Sequence, residues 1–275
     1  RKFEEIMSVS PNNLSYALEH KNEFNRLEAQ AKKKGYQIEP EFRHLYLKQG
    51  DTLLDAGCGS GHLSRFLAEQ NPHARIIGCD ASSDRLKQAA EAASPIRNLE
   101  FIHSDLAQLA FENETFDVIA CRFVFHHLSS THRVRVIQEL HRVLKPGGRI
   151  VSADPDGMFY TLCPMPEVVS RALKIIETKD CVDLFAGRKI PHLLLQEGFT
   201  SPKFRAETIS DDTDLLRSQE IQLMKERFEQ LMPFLEHALE DVKLALQFRD
   251  AFLNALAFDG AVYYCPKIIT TAAKP

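Results

Sequence analysis

The run Leu53-Leu54-Asp55-Ala56-Gly57-Cys58-Gly59-Ser60-Gly61-His62-Leu63 places an acid two residues before the first of three glycines at alternate positions. An apolar stretch leads into the acid, and a polar–apolar helical pattern leaves the last glycine. The segment therefore reads as a strand, a tight turn and a helix start. Glycine at such a turn lets the backbone bend sharply and a ligand come close. A ligand there meets the backbone N–H groups of a helix N-terminus. Its neighbours narrow the ligand's chemistry. The dinucleotide pattern G-x-G-x-x-G would put its third glycine where this chain has His62. A pyrophosphate gains nothing from Asp55, whereas a ligand carrying an ammonium group does.

Further acids follow at telling positions. Asp80 closes the second apolar run, about 20 residues past the glycines, where a carboxylate accepts both hydroxyls of a ribose; Ala81 beside it is counted with the same site. In Ser104-Asp105-Leu106, Asp105 can accept a hydrogen bond from an adenine amine while Leu106 covers the ring. Both acids also have ordinary uses, Asp80 as a helix cap and Asp105 as a turn residue, although Ser82 or Ser83 fits the cap better. Past the fourth apolar run, His126 and His127 are candidates for a general base, since a neutral histidine suits proton abstraction near pH 7; His127 reads equally as an architectural residue. Asp154 and Asp156 could orient an amine or hydroxyl. Phe123, Met158, Phe159 and Tyr160 shape an apolar pocket or simply pack.

Alternating elements must position these residues. Strands are expected at Thr52–Asp55, Ala74–Cys79, Leu99–His103, Phe116–Cys121, Arg149–Ala153, Phe204–Ile209 and Ala261–Thr270. Between them lie helical patterns at Leu63–Glu69, Ser83–Ala93, Thr131–Leu144, Glu167–Thr178 and Ile190–Glu197. Lys145-Pro146-Gly147-Gly148 reads as an architectural turn before the fifth strand. Strands separated by helices imply right-handed crossovers and a parallel sheet, with ligands bound beyond the carboxyl ends of the strands. The stretch Asp214–Phe258 is unusually long and helical. Its residues Phe228, Met232, Leu235, Leu239, Val242 and Leu246 step along one helix face, and Pro233 marks a kink or a new start. Tyr16–Lys34 reads as a helix outside the sheet.

The 275 residues carry a net charge of −4 and 44% hydrophobic residues, enough for a proper core. There is no basic stripe of the kind a duplex binder shows, and Lys32-Lys33-Lys34 reads as a solvated helix end. A nucleic-acid partner is not expected. The six cysteines form no CxxC pair and no zinc spacing, which points to no metal and to a reducing compartment, the cytoplasm. No run reaches the roughly 18 apolar residues of a membrane helix, and the charged N-terminal residues lack a signal core.

The glycine loop, Asp80, Asp105, the strand Phe116-Asp117-Val118-Ile119 and the turn Leu144-Lys145-Pro146-Gly147-Gly148, taken in order over about 50 to 155, resemble the motif series of class I S-adenosyl-L-methionine (SAM) methyltransferases. The segment Phe123-Val124-Phe125-His126-His127-Leu128, Asp154-Pro155-Asp156 and the run from Gly187 to Gly198 resemble the small-molecule branch of ubiquinone, menaquinone and natural-product biosynthesis. The resemblance implies an α/β, doubly wound, mostly parallel seven-stranded sheet, the Rossmann-like methyltransferase fold, with a helical cap. One domain over 1–275 is expected: a helical cap at 1–48, a SAM-binding core at 49–200, and the last two strands at 201–275 with a helical insert at about 211–258. It also implies that Asp55, Gly57, Cys58, Gly59, Gly61, Asp80, Ala81, Ser104, Asp105, Leu106 and Arg122 hold SAM. The helix with Asn25-Arg26-Leu27 would close over SAM and bring Arg26 to it. Phe123, Asp154, Asp156 and Tyr160 would border the acceptor, a small molecule methylated on O, N or C.

Three alternatives stay open on the residues alone. The acceptor could be RNA or protein, although no Asn-Pro-Pro-Tyr-type motif follows the fourth strand. The same fold could use SAM without transferring a methyl group. An NAD-dependent enzyme is disfavoured by His62 and Asp55. The apolar insert could also form the interface of a homodimer.

Overall fold

The computed structural model describes residues 23–31, 36–42, 45–209 and 214–275. Short apolar runs buried on both faces make parallel strands. Here β1 (Thr52–Ala56), β2 (Arg75–Asp80), β3 (Leu99–His103), β4 (Phe116–Arg122) and β5 (Leu144–Pro155) all pair in parallel. β7 (Cys265–Ala273) runs antiparallel between β5 and the edge strand β6 (Thr200–Ile209). The order is β3-β2-β1-β4-β5-β7-β6. It reverses direction between β1 and β4, and that reversal opens a crevice at the strands' carboxyl ends.

Alternation along each strand sends neighbours to opposite faces. On one face Leu54, Ile77 and Ile119 meet α5 (Ser130–Val143) and α7 (Ala186–Gln196). On the other, Leu53, Ile76 and Val118 meet α3 (His62–Gln70) and Phe42 of the short α2 (Glu39–Phe42). α4 (Ser83–Ala92) follows β2 and is capped by Ser82, whose hydroxyl accepts from the Arg85 N–H. A third cluster lies past the ends of β4 and β5. There α6 (Glu167–Glu177), α8 (Asp214–Leu239) and α9 (Val242–Leu256) enclose Met158 and Phe159. Phe159, Phe228, Phe248 and Phe252 form its centre; Phe228 lies 5.7 Å from Phe248 and 5.5 Å from Phe252, ring centre to ring centre. α1 (Glu23–Ala31) lies on the glycine loop.

Several expectations need correction. Lys145–Gly148 is a bulge inside β5 rather than a turn before it: Phe116 pairs with Leu144 and Val118 with Arg149. The extra residues are held by bonds between Gly147, Gly148 and Lys274 beyond β7. Pro233 sits inside one continuous α8. The break falls later, where Glu240 adopts φ 53° and the Asp241 carboxylate caps α9 by accepting from the Leu244 N–H. The new helix starts with a different phase. Val242 and Leu246 are therefore exposed, and α9 buries Leu244, Phe248 and Phe252 instead. The last strand begins at Cys265 rather than Ala261, because Val262 pairs with Cys163 and Ala261 closes a turn onto Phe258. The expected helix Tyr16–Lys34 falls within the described residues only over Glu23–Ala31, and Lys32-Lys33-Lys34 lies outside them.

A buried carboxylate joins three distant parts of the chain. Glu41 on α2 accepts from Arg122 Nε at 2.5 Å and from Lys267 Nζ at 2.6 Å. Arg122 also donates to the Tyr36 carbonyl at 2.7 Å.

The cap cluster makes a direct prediction. Phe228 is fully buried among three rings. Phe228→Ala removes that contact area and leaves a cavity, so it is expected to destabilise the protein by about 3–5 kcal/mol in urea denaturation. Leu246→Ala on the exposed side of α9 should cost under about 0.5 kcal/mol.

Candidate functional site

The glycine loop leaves β1 at the crevice. Gly57, Gly59 and Gly61 adopt φ of 75°, 55° and 73°, a left-handed region that favours glycine. A Cβ on Gly57 would lie 2.7 Å from the Val124 side chain, and one on Gly61 would lie 2.6 Å from the Phe101 ring. The Gly57 and Cys58 N–H groups donate to the Cys79 carbonyl at 2.8 and 2.9 Å. The Gly59 N–H donates to Asp80 Oδ2 at 2.9 Å. The loop is thus bent around the end of β2. α3 starts at Gly61 with no side-chain cap.

The loop is acidic. Asp55 is buried beneath it and accepts from the Ser64 hydroxyl at 2.5 Å. Burial, with the nearby Asp80 charge also acting upward, raises its pKa to about 7. Asp80 accepts further from the Ser82 N–H and from Arg85 Nη2, at 3.0 and 2.8 Å. Cys58 reports the same field from within the loop. Burial first, then the Asp55 and Asp80 charges, hold its thiol well above the ordinary range. A cation entering here relieves that field, whereas a polyphosphate adds to it.

The residues after β3 divide. The Ser104 hydroxyl is buried and accepts from the Ala110 N–H. Asp105 is exposed, and its Oδ1 accepts from the Ala107 N–H at 2.9 Å in a local turn. Leu106 lies against Gly57, 3.5 Å from where a Cβ would be. Ala81 offers its carbonyl to His103 Nε2 at 2.9 Å.

α1 covers the loop from above. Leu27 comes within 3.2 Å of a Cβ built on Gly59. Glu28 accepts from the Ser60 hydroxyl and from Arg65 Nη2, both at 2.7 Å. Burial pushes Glu28 up, but bonds from His62, Arg65 and Ser60 bring its pKa down to about 2. Arg26 turns to Glu23 and Gln30 on its own helix. It lines a cavity of about 470 Å³ between α1 and α8, shared with Tyr36, Arg227 and Gln230.

The far wall comes from the ends of β4 and β5. Phe123 adopts φ 57°, an uncommon conformation for a bulky residue. Its ring packs edge-on against Tyr36 and His126, with the Arg122 guanidinium 4.4 Å from its centre. Arg122 itself is bound to Glu41 and the Tyr36 carbonyl, so it supports the wall. His126 is buried, with Nδ1 3.1 Å from Asp154 Oδ1, which also accepts from the His126 N–H. Burial, then the Arg227 and Arg133 charges, lower the His126 pKa to about 3. The His127 ring lies tilted beside that of His126, centres 3.7 Å apart, and its pKa is held well below the usual range, by enclosure and then by His126. Neither histidine titrates near neutrality. Burial raises Asp154 to about 8, and its Oδ2 has no hydrogen-bond partner. Asp156 is bound by Arg188 through Nε and Nη2, which orients it away from an acceptor role. The Tyr160 ring packs on Phe185 at 5.0 Å, and its hydroxyl is buried without a partner.

The His126–Asp154 pair, Glu41, Glu28 and Arg227 were not singled out together by the sequence. Only the first had a local signal, a histidine and an acid each just past a strand. Among the described residues no cluster of His, Cys, Asp and Glu could hold a metal, and no helix is long and apolar enough to cross a membrane.

Residues 53–148 match the family model described as methyltransferase domain. The chain is 32% identical over 110 residues to demethylmenaquinone methyltransferase of Lysinibacillus sphaericus, covering 40% of this chain and 46% of that one. It is 34% identical over 113 residues to the chloroplastic 2-phytyl-1,4-beta-naphthoquinone methyltransferase of Arabidopsis thaliana, covering 39% and 42%. The match thus spans less than half the length of these two relatives. A Haemonchus contortus phosphoethanolamine N-methyltransferase 2, solved with phosphomonomethylethanolamine and S-adenosylhomocysteine, superposes with a TM-score of 0.62 at 17% identity, over 97% of this chain and 61% of that one. The chain has the Rossmann-like methyltransferase fold.

The buried His126–Asp154 pair sets a pH dependence. Asp154 titrates at about 8 in the folded chain and near 3.8 when unfolded. The folded state therefore holds more protons between these values, and stability from this group falls as pH rises through them. Asp154→Asn removes the titration. In urea midpoints measured from about pH 5 to about pH 8, wild type is expected to lose stability relative to the variant as pH rises. A difference that stays constant contradicts the neutral Asp154.

Proposed function

We propose that this chain transfers a methyl group from S-adenosylmethionine to a small-molecule acceptor held beneath the helical cap. The observation that carries this reading is the acidic glycine loop: Asp55 and Asp80 converge on three left-handed glycines at the carboxyl ends of β1 and β2. That field favours a ligand with a sulfonium and an ammonium over a dinucleotide. The likeness of residues 53–148 to methyltransferase domains and to two quinone methyltransferases supports the same reaction class.

When bound, SAM supplies a methyl group that is electrophilic through its sulfonium. In this reading Asp80 accepts the ribose hydroxyls, with Ala81 beside it. Gly57, Cys58, Gly59 and Gly61 offer close backbone approach to the methionine end, above the Asp55 carboxyl. Leu106 lines the adenine side, with Ser104 and Asp105 at its rim. α1 covers the loop, with Arg26 on the acceptor side, and Arg122 holds the wall through Glu41. Phe123, Tyr160 and Asp154 border the acceptor, while Asp156 stands behind them on Arg188.

Catalysis in this reading rests on positioning. Holding two reactants in attack geometry contributes roughly 7–11 kcal/mol. A base of pKa about 3 is poorly matched to neutral pH. His126 and His127 therefore act as neutral wall residues, aligned by Asp154, rather than as proton acceptors.

The test is Asp80→Ala with S-adenosylhomocysteine calorimetry, circular dichroism checking the fold and Asp84→Ala on the next helix turn as control. Loss of the charge-assisted bonds is expected to weaken binding by tenfold or more, about 1.4 kcal/mol or above, with the control unchanged. Equal affinity in wild type and Asp80→Ala removes the ribose assignment.

A further inference from the structure

The cavity between α1 and α8 contains a cation, Arg227, with no carboxylate partner among the described residues. Arg227 donates from Nη1 to the Tyr36 hydroxyl at 3.3 Å and from Nη2 towards Met158 Sδ at 3.4 Å. Its Nε is buried and has no partner, and no carboxylate among the described residues pairs with it. Other arginines shielded from solvent differ: Arg133 is paired with Asp183, Arg122 with Glu41 and Arg85 with Asp80. Arg26, across the same cavity, is bonded to Glu23. Glu226 and Glu229 also line the cavity, but both are exposed at its mouth, whereas Tyr36 and Met158 are buried. The Gln230 side-chain oxygen is buried and unpartnered on the next turn.

A half-buried cation with no carboxylate beside it marks a place where a ligand can supply the missing charge. The guanidinium stays charged here, since arginine does not lose its proton in a protein. Its field reaches the end of β4, where it helps to depress His126 and His127. Tyr36, which receives its bond, packs on Phe123, and Phe123 packs on His126. Tyr36, which lines the cavity, is thus in contact with the wall of the crevice. The cavity's volume, about 470 Å³, suits a small organic molecule. Arginine's planar fork matches the two oxygens of a carboxylate or phosphate.

Resting on the methyl-transfer reading, we propose that the acceptor carries an oxyanion, a carboxylate or phosphate on a small organic body, and that Arg227 binds it. The crevice then divides its charges: acids at the glycine loop face the cationic cofactor, and Arg227 under the cap faces the anionic acceptor. The methyl acceptor atom lies between them, beside Phe123 and His126.

The test follows the Arg227 Nε–H signal by side-chain NMR in protein labelled with ¹⁵N-arginine and assigned through Arg227→Met. Benzoate, inorganic phosphate and the neutral benzamide are titrated separately, with and without S-adenosylhomocysteine. Benzoate or phosphate is expected to give a saturable shift at least roughly tenfold tighter than benzamide, the effect of one charge-assisted pair. By calorimetry the same anion should bind Arg227→Met roughly tenfold more weakly and Arg227→Lys to an intermediate degree, while S-adenosylhomocysteine affinity is unchanged in both. Benzamide binding as well as benzoate, no saturable anion shift, or undiminished anion binding by Arg227→Met overturns the proposal. Loss of S-adenosylhomocysteine affinity in Arg227→Met also overturns it, since the guanidinium would then serve the cofactor's own carboxylate. Anion binding in a protein that ignores S-adenosylhomocysteine leaves the anion site standing and removes the cofactor reading instead.

Discussion

Everything at the crevice depends on how the backbone leaves β1. Gly57 and Cys58 both donate to the Cys79 carbonyl near the end of β2, and Gly59 donates to the Asp80 carboxylate, so loop and strand end are bonded into one unit. Three residues at positive φ make this bend, and packing enforces two of them: Val124 fills the space beside Gly57, and Phe101 that beside Gly61. An alanine at Gly57 would suffer from its backbone conformation and from Val124 together. The bend brings Asp55 and Asp80 close enough for their charges to act on each other and on Cys58. Arg85 already meets part of this charge at Asp80, and in the proposed reading a cationic ligand meets the rest.

Two further devices fix what surrounds that turn. Glu28 and Arg65 hold α1 on the loop, so the covering helix and the start of α3 are bonded together. Glu41 holds Arg122 at the end of β4 and Lys267 in β7. Removing one partner of such a buried network leaves a charge uncompensated, which costs far more than a surface ion pair is worth. Arg122, beside Phe123, is held in place by that network. The wall with Phe123 and the His126–Asp154 pair presents rings and a buried histidine–acid pair to the crevice.

The sequence revealed the parts governed by local periodicity. Leu53–Asp55, Ile76–Cys79 and Val118–Cys121 are apolar runs bounded by acids or glycines, and they became β1, β2 and β4 close to the expected limits. The glycine loop and Asp80 were legible for the same reason, since their meaning lies in spacing along the chain. Long-range partners were not legible. Arg122 and Glu41 are separated by 81 positions and Lys267 and Glu41 by 226, and no short pattern encodes such a meeting. Asp156 seemed available until Arg188 was placed beside it, 32 positions on. The cap misled through helix phase: one face was traced from Phe228 to Leu246, but the left-handed residue at Glu240 and the Asp241 cap reset the rotation. Pro233, the expected break, is tolerated within α8.

The central claim is that an adenosyl ligand with a cationic tail sits in the acidic loop under α1. Amide hydrogen exchange with S-adenosylhomocysteine, and separately with NAD, tests it most directly, because it reports both binding and place. Slowed exchange concentrated in residues 57–61, 80–82 and 23–31 with S-adenosylhomocysteine, and no such change with NAD, is the predicted result. Protection by NAD at the same amides, or protection by S-adenosylhomocysteine confined to other parts of the chain, would contradict the account.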